Sequence, residues 1–370
     1  MKYVEELEGL RGIMSLWVVV GHSLGCLPQL RGGGVSPTLY NIFAVDVFII
    51  LSGFVIFFMI NTKKQNYIEY ITQRAFRIFP IYLLATFASI LLIGFTKDMF
   101  SLIPEGALTQ GRINTINAFL ENPIPHVMAH ITLLQGLIPS GVLPFAANTI
   151  IGQAWSVSIE WQFYIIAPFI FMLMKMNKKP SLNIYLFLMV FSLVAMGMII
   201  KNGAFISSKL PMFFIGFFSF FFYRDYSSKF NRQELISIYA LIVIFSVLVL
   251  KGESLAMVIW FTALFSTLVS ISSHEKNFVS KILTNKYVLY IGKISYSIYM
   301  VHMIAVAIAI YLLHNLSAFN FGWYFYLPSI SIAITVVISV VTYKTVEKPF
   351  IKLGRKISAV ISHNNIDKAI

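Results

Sequence analysis

The first apolar run, LRGIMSLWVVVGHS at 10–23, has an arginine near one end and a histidine at the other, Arg11 and His22. A guanidinium binds phosphate or carboxylate through forked hydrogen bonds, and an imidazole moves protons near neutral pH. Eleven residues at 100° each end about 20° past three full turns, so the two side chains share one stripe of a helix, about 16 Å apart along its axis. The next run, AVDVFIILSGF, carries Asp46, and a carboxylate beside an imidazole fixes its tautomer and raises its basicity. QRAFRIFPIY holds Arg74 and Arg77 three apart, on one helix face. WSVSIEWQFY puts Ser156, Glu160 and Tyr164 at i, i+4, i+8, and GKISYSIYMVH puts Ser295, Tyr299 and His302 at i, i+4, i+7. Together these groups could grip an anion at one end and perform acid–base chemistry at the other.

The elements that must position them are membrane helices. Of 370 residues, 58% are hydrophobic, 15% aromatic and 12% charged. Mean hydropathy is +0.79. A soluble chain carries about 25% charged residues, so this surplus of apolar side chains points to lipid. Ten candidate spans are predicted, at about 10–30, 39–60, 78–96, 154–174, 182–200, 206–223, 235–250, 255–273, 289–313 and 323–345. The residues 126–143, with two histidines, two glycines and a proline, read as a re-entrant or interfacial segment within an outer loop at about 97–153. With ten spans both termini fall on one side. Of the 28 Lys and Arg, all but Arg31, Lys97, Arg112, Lys201, Lys209 and Lys251 lie there too. That is the bias of a cytoplasmic face, so both termini are expected in the cytoplasm, and the net charge of +13 needs no nucleic acid to explain it.

The expected fold class is therefore all-α: one polytopic membrane domain over 1–350, followed by a short basic cytoplasmic tail at 351–370. The N-terminus, with Glu5, Glu6 and Glu8, does not read as a secretory signal, and Cys26, the one cysteine, excludes an intramolecular disulfide. By depth, His22 is expected about 12 Å below the outer surface and Asp46 about 10 Å, close enough to pair. Glu160 lies at about 9 Å, and His302 reaches the same outer half. Arg11, Arg74 and Arg77 sit together at the cytoplasmic rim. Ionisable groups inside a membrane mark function, and these arginines, histidines and carboxylates suit a proton-coupled carrier as well as an enzyme. Against a carrier, the chain has no repeated half and no paired broken helices. A scaffold would carry polar groups without a common depth. His126 and His130 are i, i+4 apart without a third ligand, so no metal is expected. The loop around them is expected to cover the site.

LEGLRGIMSLWVVVGHS, AVDVFIILSGF, ITQRAFRIFPIY, WSVSIEWQFYIIAP, GKISYSIYMVH and the closing EKPF together resemble the membrane-embedded acyltransferase family 3, which includes O-antigen and peptidoglycan O-acetyltransferases. The resemblance runs from about residue 5 to 350. It implies transfer of an acetyl group from cytoplasmic acetyl-CoA to a hydroxyl of an extracytoplasmic or lipid-linked glycan such as O-antigen, exopolysaccharide or capsule. It implies an address in the bacterial inner membrane, with acyl-CoA, glycan and lipid as partners. The family's Arg-x10-His pattern falls on Arg11 and His22, its aspartate on Asp46, its Arg-x-x-Arg on Arg74 and Arg77, and its glutamate on Glu160. Where many relatives have a second, adjacent glutamate this chain has Trp161. The expected catalytic set is His22, Asp46 and Glu160, with Arg11, Arg74 and Arg77 on the donor. Ser156, Tyr164, Ser295, Tyr299 and His302 are expected against the substrate. Some relatives add an esterase-like domain, and this chain resembles the stand-alone type.

Overall fold

The computed structural model describes residues 4–27, 41–63, 65–103, 107–175, 180–226, 228–250, 255–317 and 321–367. The ends of the first two expected spans, at 28–30 and 39–40, and the last three residues of the expected tail lie outside them. Sixteen α-helices follow in order: α1 Glu5–Leu24, α2 Ile42–Thr62, α3 Tyr67–Leu91, α4 Ile93–Ser101, α5 Ala107–Glu121, α6 Pro123–Ile131, α7 Ala154–Lys175 and α8 Pro180–Ile200. After them come α9 Leu210–Tyr226, α10 Arg232–Leu250, α11 Leu255–Ser273, α12 Phe278–Leu283, α13 Lys286–Lys293, α14 Ser295–Ser317, α15 Leu327–Thr342 and α16 Lys348–Asp367.

Eight of the described helical stretches are long and apolar enough to cross a membrane: α2, α3, α7, α9 with the 3-10 turn before it, α10, α11, α14, and α15 running on into α16. The two remaining expected spans fall on α1, whose first turn holds three glutamates, and on α8, apolar over Ile184–Ile200. Among the described residues there is no strand, and the chain is an all-α polytopic membrane protein. Helices satisfy their own backbone hydrogen bonds, which the bilayer interior demands.

Helix packing here depends on small residues, because lipid gives apolar side chains little reason to leave it. On α2, IFAVDVFIILSGFVIFFMINT is apolar all round. Its Ile50, Gly53 and Phe57 form a stripe against α9, where Phe57 stacks on Phe217 at 4.1 Å. A Cβ at Gly53 would lie 2.7 Å from the Phe213 carbonyl oxygen, so only glycine permits this approach. Gly12 of α1 meets the backbone of Gly292 on α13 in the same way, a Cβ there lying 2.7 Å from Gly292 N. The Asn66 side chain caps α3 by accepting from Glu69 N at 2.9 Å, which sets the register of the arginines about two and three turns on.

Residues 126–143, read as a segment of the outer loop and not a span, fall on the nine-residue helix α6, a 3-10 turn at Gln135–Leu137 and a series of turns. One feature differs from expectation. The segment after 350 is helical and joins α15 through a π-helical stretch, Tyr343–Glu347. It lies along α3, where Gln73 Nε2 donates to Ser358 Oγ at 2.7 Å and Phe76 meets Phe350.

Candidate functional site

A cavity of about 470 Å³ opens among α1, α2, α3, α7 and α14. Eight of the eleven residues singled out from the sequence line it: Arg11, Arg74, Arg77, Ser156, Glu160, Tyr164, Ser295 and Tyr299. Its wall on α2 runs Val45, Phe48, Ser52, Val55 and Met59, a helical stripe with one hydroxyl. Lys63 and Arg355 also face it.

Glu160 is the focus of the polar wall. Its Oε1 accepts from Ser52 Oγ at 2.9 Å and from Tyr164 Oη at 2.5 Å. Arg11, Arg74 and Arg77 all act on this carboxylate electrostatically, and the Arg74 guanidinium lies 5.9 Å from the Tyr164 ring centre. A second acid, Glu347, faces Arg77 and Arg11. It is buried at the π-helical junction before α16 and accepts from Ser297 Oγ at 2.6 Å. Five cations, Arg11, Lys63, Arg74, Arg77 and Arg355, against three carboxylates, Glu8, Glu160 and Glu347, leave a net positive cavity. Arg74 Nε and Ser295 Oγ are buried without a hydrogen-bond partner. Such groups cost free energy unless a partner arrives, so the cavity is built to receive acceptor atoms.

Tyr299 leads away from this wall. It bonds Ser156 Oγ at 2.6 Å, and its ring centre stands 5.8 Å from that of His302. His302 is fully buried and lies 5.1 Å, ring to ring, from His22. The two histidines sit past the cavity lining, further along α14 and α1. Their tautomers follow from their partners. His302 Nδ1 lies 2.7 Å from the Tyr299 carbonyl, which only accepts, so that nitrogen carries the proton and Nε2 keeps an unshared lone pair. His22 Nδ1 lies 3.2 Å from Arg112 Nη2, which only donates, so here the lone pair is used and the proton sits on Nε2.

Arg112, on α5, also reaches the His22 carbonyl at 3.3 Å and Cys26 Sγ at 2.8 Å, with its guanidinium 4.8 Å above Phe100. The element over His22 is therefore α5, part of the same outer loop at about 97–153 as His126 and His130. Those histidines form their own buried network. Thr149 Oγ1 bridges His126 Nδ1 at 3.0 Å and His130 Nε2 at 3.1 Å, and Tyr82 Oη meets His130 Nδ1 at 3.1 Å. Burial holds both imidazoles below their usual range, His130 at about 4.

The expected pairing of Asp46 with His22 is corrected. Asp46 Oδ1 forms an ion pair with Lys209 Nζ at 2.6 Å. The reason is helical phase. Asp46 precedes Ile50, Gly53 and Phe57 by i+4, i+7 and i+11, and that stripe faces α9, at whose start Lys209 stands. Rise per residue gives a position along one helix, and two groups at matching positions can still face different neighbours.

Sequence reasoning missed Ser52, Lys209, Arg112 and Glu347. Glu347 stood in view in EKPF, and Arg112 and Lys209 were exceptions to the charge bias. A lone cation on the sparsely charged side was the available signal. Asp46, His302 and His22 are the three expected residues that the cavity does not reach.

Comparison with known proteins agrees with this inventory. The family model described as an acyltransferase domain matches residues 4–344. The exopolysaccharide production protein ExoZ of Rhizobium meliloti (strain 1021) is 27% identical over 124 residues, covering 33% of this chain and 32% of that protein. The matched stretch thus spans about a third of that relative. No solved structure matches. With the family match running through nearly all of a helical membrane chain, most of whose motif residues line one cavity, the protein belongs to acyltransferase family 3.

Proposed function

We propose that the protein is an O-acetyltransferase of the bacterial inner membrane, taking acetyl from cytoplasmic acetyl-CoA and placing it on a hydroxyl of an extracytoplasmic or lipid-linked glycan, such as exopolysaccharide, capsule or O-antigen. One observation carries the reading: three arginines and a hydrogen-bonded glutamate share a cavity of about 470 Å³ in a chain of this family. Donor phosphates suit Arg11, Arg74 and Arg77, because guanidinium forks match phosphate oxygens. The name of the exopolysaccharide relative supports a glycan as acceptor.

In this reaction the acceptor oxygen attacks the thioester carbonyl, the carbon–sulfur bond breaks, the hydroxyl proton passes to a base, and coenzyme A leaves as its thiol. Glu160 and Tyr164 orient the reacting groups within the cavity. His22 is the base on the acceptor side. Its Nδ1 lone pair is engaged by Arg112, so proton transfer to that atom requires the α5 contact to open when acceptor enters. Arg112 thus couples occupancy of the outer end to the readiness of the base.

The test is direct. Membranes containing the protein, given acetyl-labelled acetyl-CoA and the host's surface glycan, form an alkali-labile labelled ester, and His22→Ala abolishes it. Substrate movement across the membrane without ester would refute the enzyme reading in favour of a carrier.

A further inference from the structure

The helix that follows residue 350 is set apart by its sequence as a basic tail, yet it closes one end of the cavity. Gly354 allows α16 to rest on the Phe76 side chain, where any Cβ would collide. Gln73 holds Ser358 from the next turn of α3. Between these two anchors stands Arg355, facing the cavity together with Lys63 at the end of α2. Both side chains are exposed, whereas Arg11, Arg74 and Arg77 lie deeper and are half-buried. Lys63 feels Arg74 and Arg355 as like charges. The ion pairs recorded among the described residues are Lys209 with Asp46, Arg224 with Asp225 and Lys276 with Glu5, so none neutralises this group. Glu8, Glu160 and Glu347 set three carboxylates against the three deeper arginines, and Lys63 and Arg355 add two further cations at the mouth.

Like charges gathered at the entrance of a cavity repel one another until an anion enters between them. A donor with phosphate at two separate places is recognised by two separate clusters of cations. Coenzyme A has that form: a pyrophosphate in the chain, and a phosphate monoester on the ribose. The monoester carries close to two negative charges at neutral pH and three acceptor oxygens, which suits an arginine fork beside a lysine point charge.

We propose that Lys63 and Arg355 form a second anion subsite, at the mouth of the cavity, that binds the ribose phosphate monoester of the acyl-CoA donor while the arginines within take its pyrophosphate. The inference rests on the acyl-CoA reading given above. It makes α16 part of the donor site, and it makes the enzyme selective for donors that keep this phosphate.

The experiment compares acetyl-CoA with 3′-dephospho-acetyl-CoA as donors for the purified full-length protein in nanodiscs of neutral lipid, with wild type, Lys63→Gln, Arg355→Gln and the double variant. A charge-assisted contact of this kind is worth about tenfold or more in affinity. Wild type is expected to show a KM for acetyl-CoA at least about tenfold below that for the dephospho donor. In the double variant the KM for acetyl-CoA rises toward that of the dephospho donor, and the difference disappears. Both side chains are exposed, and fluorescence-detected size exclusion verifies that the variants stay folded. If wild type transfers acetyl equally well from both donors, the inference is overturned while the enzyme reading stands. If wild type discriminates and the double variant still does, the phosphate is read elsewhere and the inference is again overturned. A defect that appears only in discs of anionic lipid would assign the two cations to lipid headgroup phosphate instead. Absence of acetyl transfer from either donor would overturn the donor reading on which this rests.

Discussion

Glu160→Gln isolates one charge in the cavity with little disturbance around it. Both hydrogen bonds to this side chain end on the same atom, Oε1, at 2.9 Å from Ser52 and 2.5 Å from Tyr164. A glutamine with its carbonyl oxygen in that place accepts both, so the geometry survives. What changes is strength: a bond to a charged acceptor is worth about 1.5–3 kcal/mol and a neutral one about 0.5–1.5, so two bonds cost about 2 kcal/mol in total. What is lost entirely is the negative charge facing Arg11, Arg74 and Arg77. Positioned acid–base groups contribute about 10²–10⁴ in rate, so kcat for acetyl transfer should fall by at least about 100-fold. The donor KM should move the other way or stay level, because the arginines no longer share their charge with a carboxylate. The assay is ester formation at varied acetyl-CoA with saturating acceptor, on protein of verified thermal stability. The split between kcat and KM is the diagnostic. A kcat within about threefold of wild type would remove Glu160 from the chemistry. A fall in kcat with a matching rise in KM and an unfolded protein would make its role structural.

Three further outcomes follow from contacts in the structure. Asp46→Asn strands Lys209, and breaking a buried pair costs about 3–5 kcal/mol, so thermal stability should drop and return when Lys209→Met is added. If the double variant is stable but inactive, Asp46 has a role in chemistry beyond this pair. Arg112→Ala uncovers the His22 end of the bundle, and Cys26, the one cysteine in the chain, should then react faster with a membrane-permeant maleimide. An unchanged labelling rate would show that α5 does not seal this end. His130 is held neutral by burial, with its proton affinity down at about 4 against about 6.5 in the unfolded chain. The unfolded state therefore binds more protons in that interval, and stability is full above about pH 6.5 and falls on acidification toward about 4, by about 3 kcal/mol. Thermal unfolding in detergent across that range reads this loss. His130→Asn should flatten it, and a slope of unchanged size in that variant would refute the assignment.

Several of these contacts lie where axial reasoning has no purchase. Rise per residue places His22, Asp46 and His302 at similar depths, and i+4 spacing puts Ser156, Glu160 and Tyr164 on one wall, because both depend on a single helix. The same arithmetic finds Arg74 and Arg77 on one face, and the cavity uses that face. Which neighbour a face meets depends on the rotation of each helix against the others, and the glycine contacts Gly53–Phe213 and Gly12–Gly292 set that rotation through close approach. Asp46 meets Lys209 for this reason, although its depth suits His22.

The sequence by itself determined the all-helical membrane class, the order of the apolar helices, the family and most of the cavity wall, because hydropathy, helical period and motif spacing are properties of one segment at a time. Only the tertiary structure decided that Arg112 caps His22, that Glu347 joins the arginines from a π-helical turn, and that the helix after residue 350 closes the mouth with Arg355. Those are meetings between segments far apart in the chain, and the packing of small residues that brings them together is a property of the assembled bundle alone.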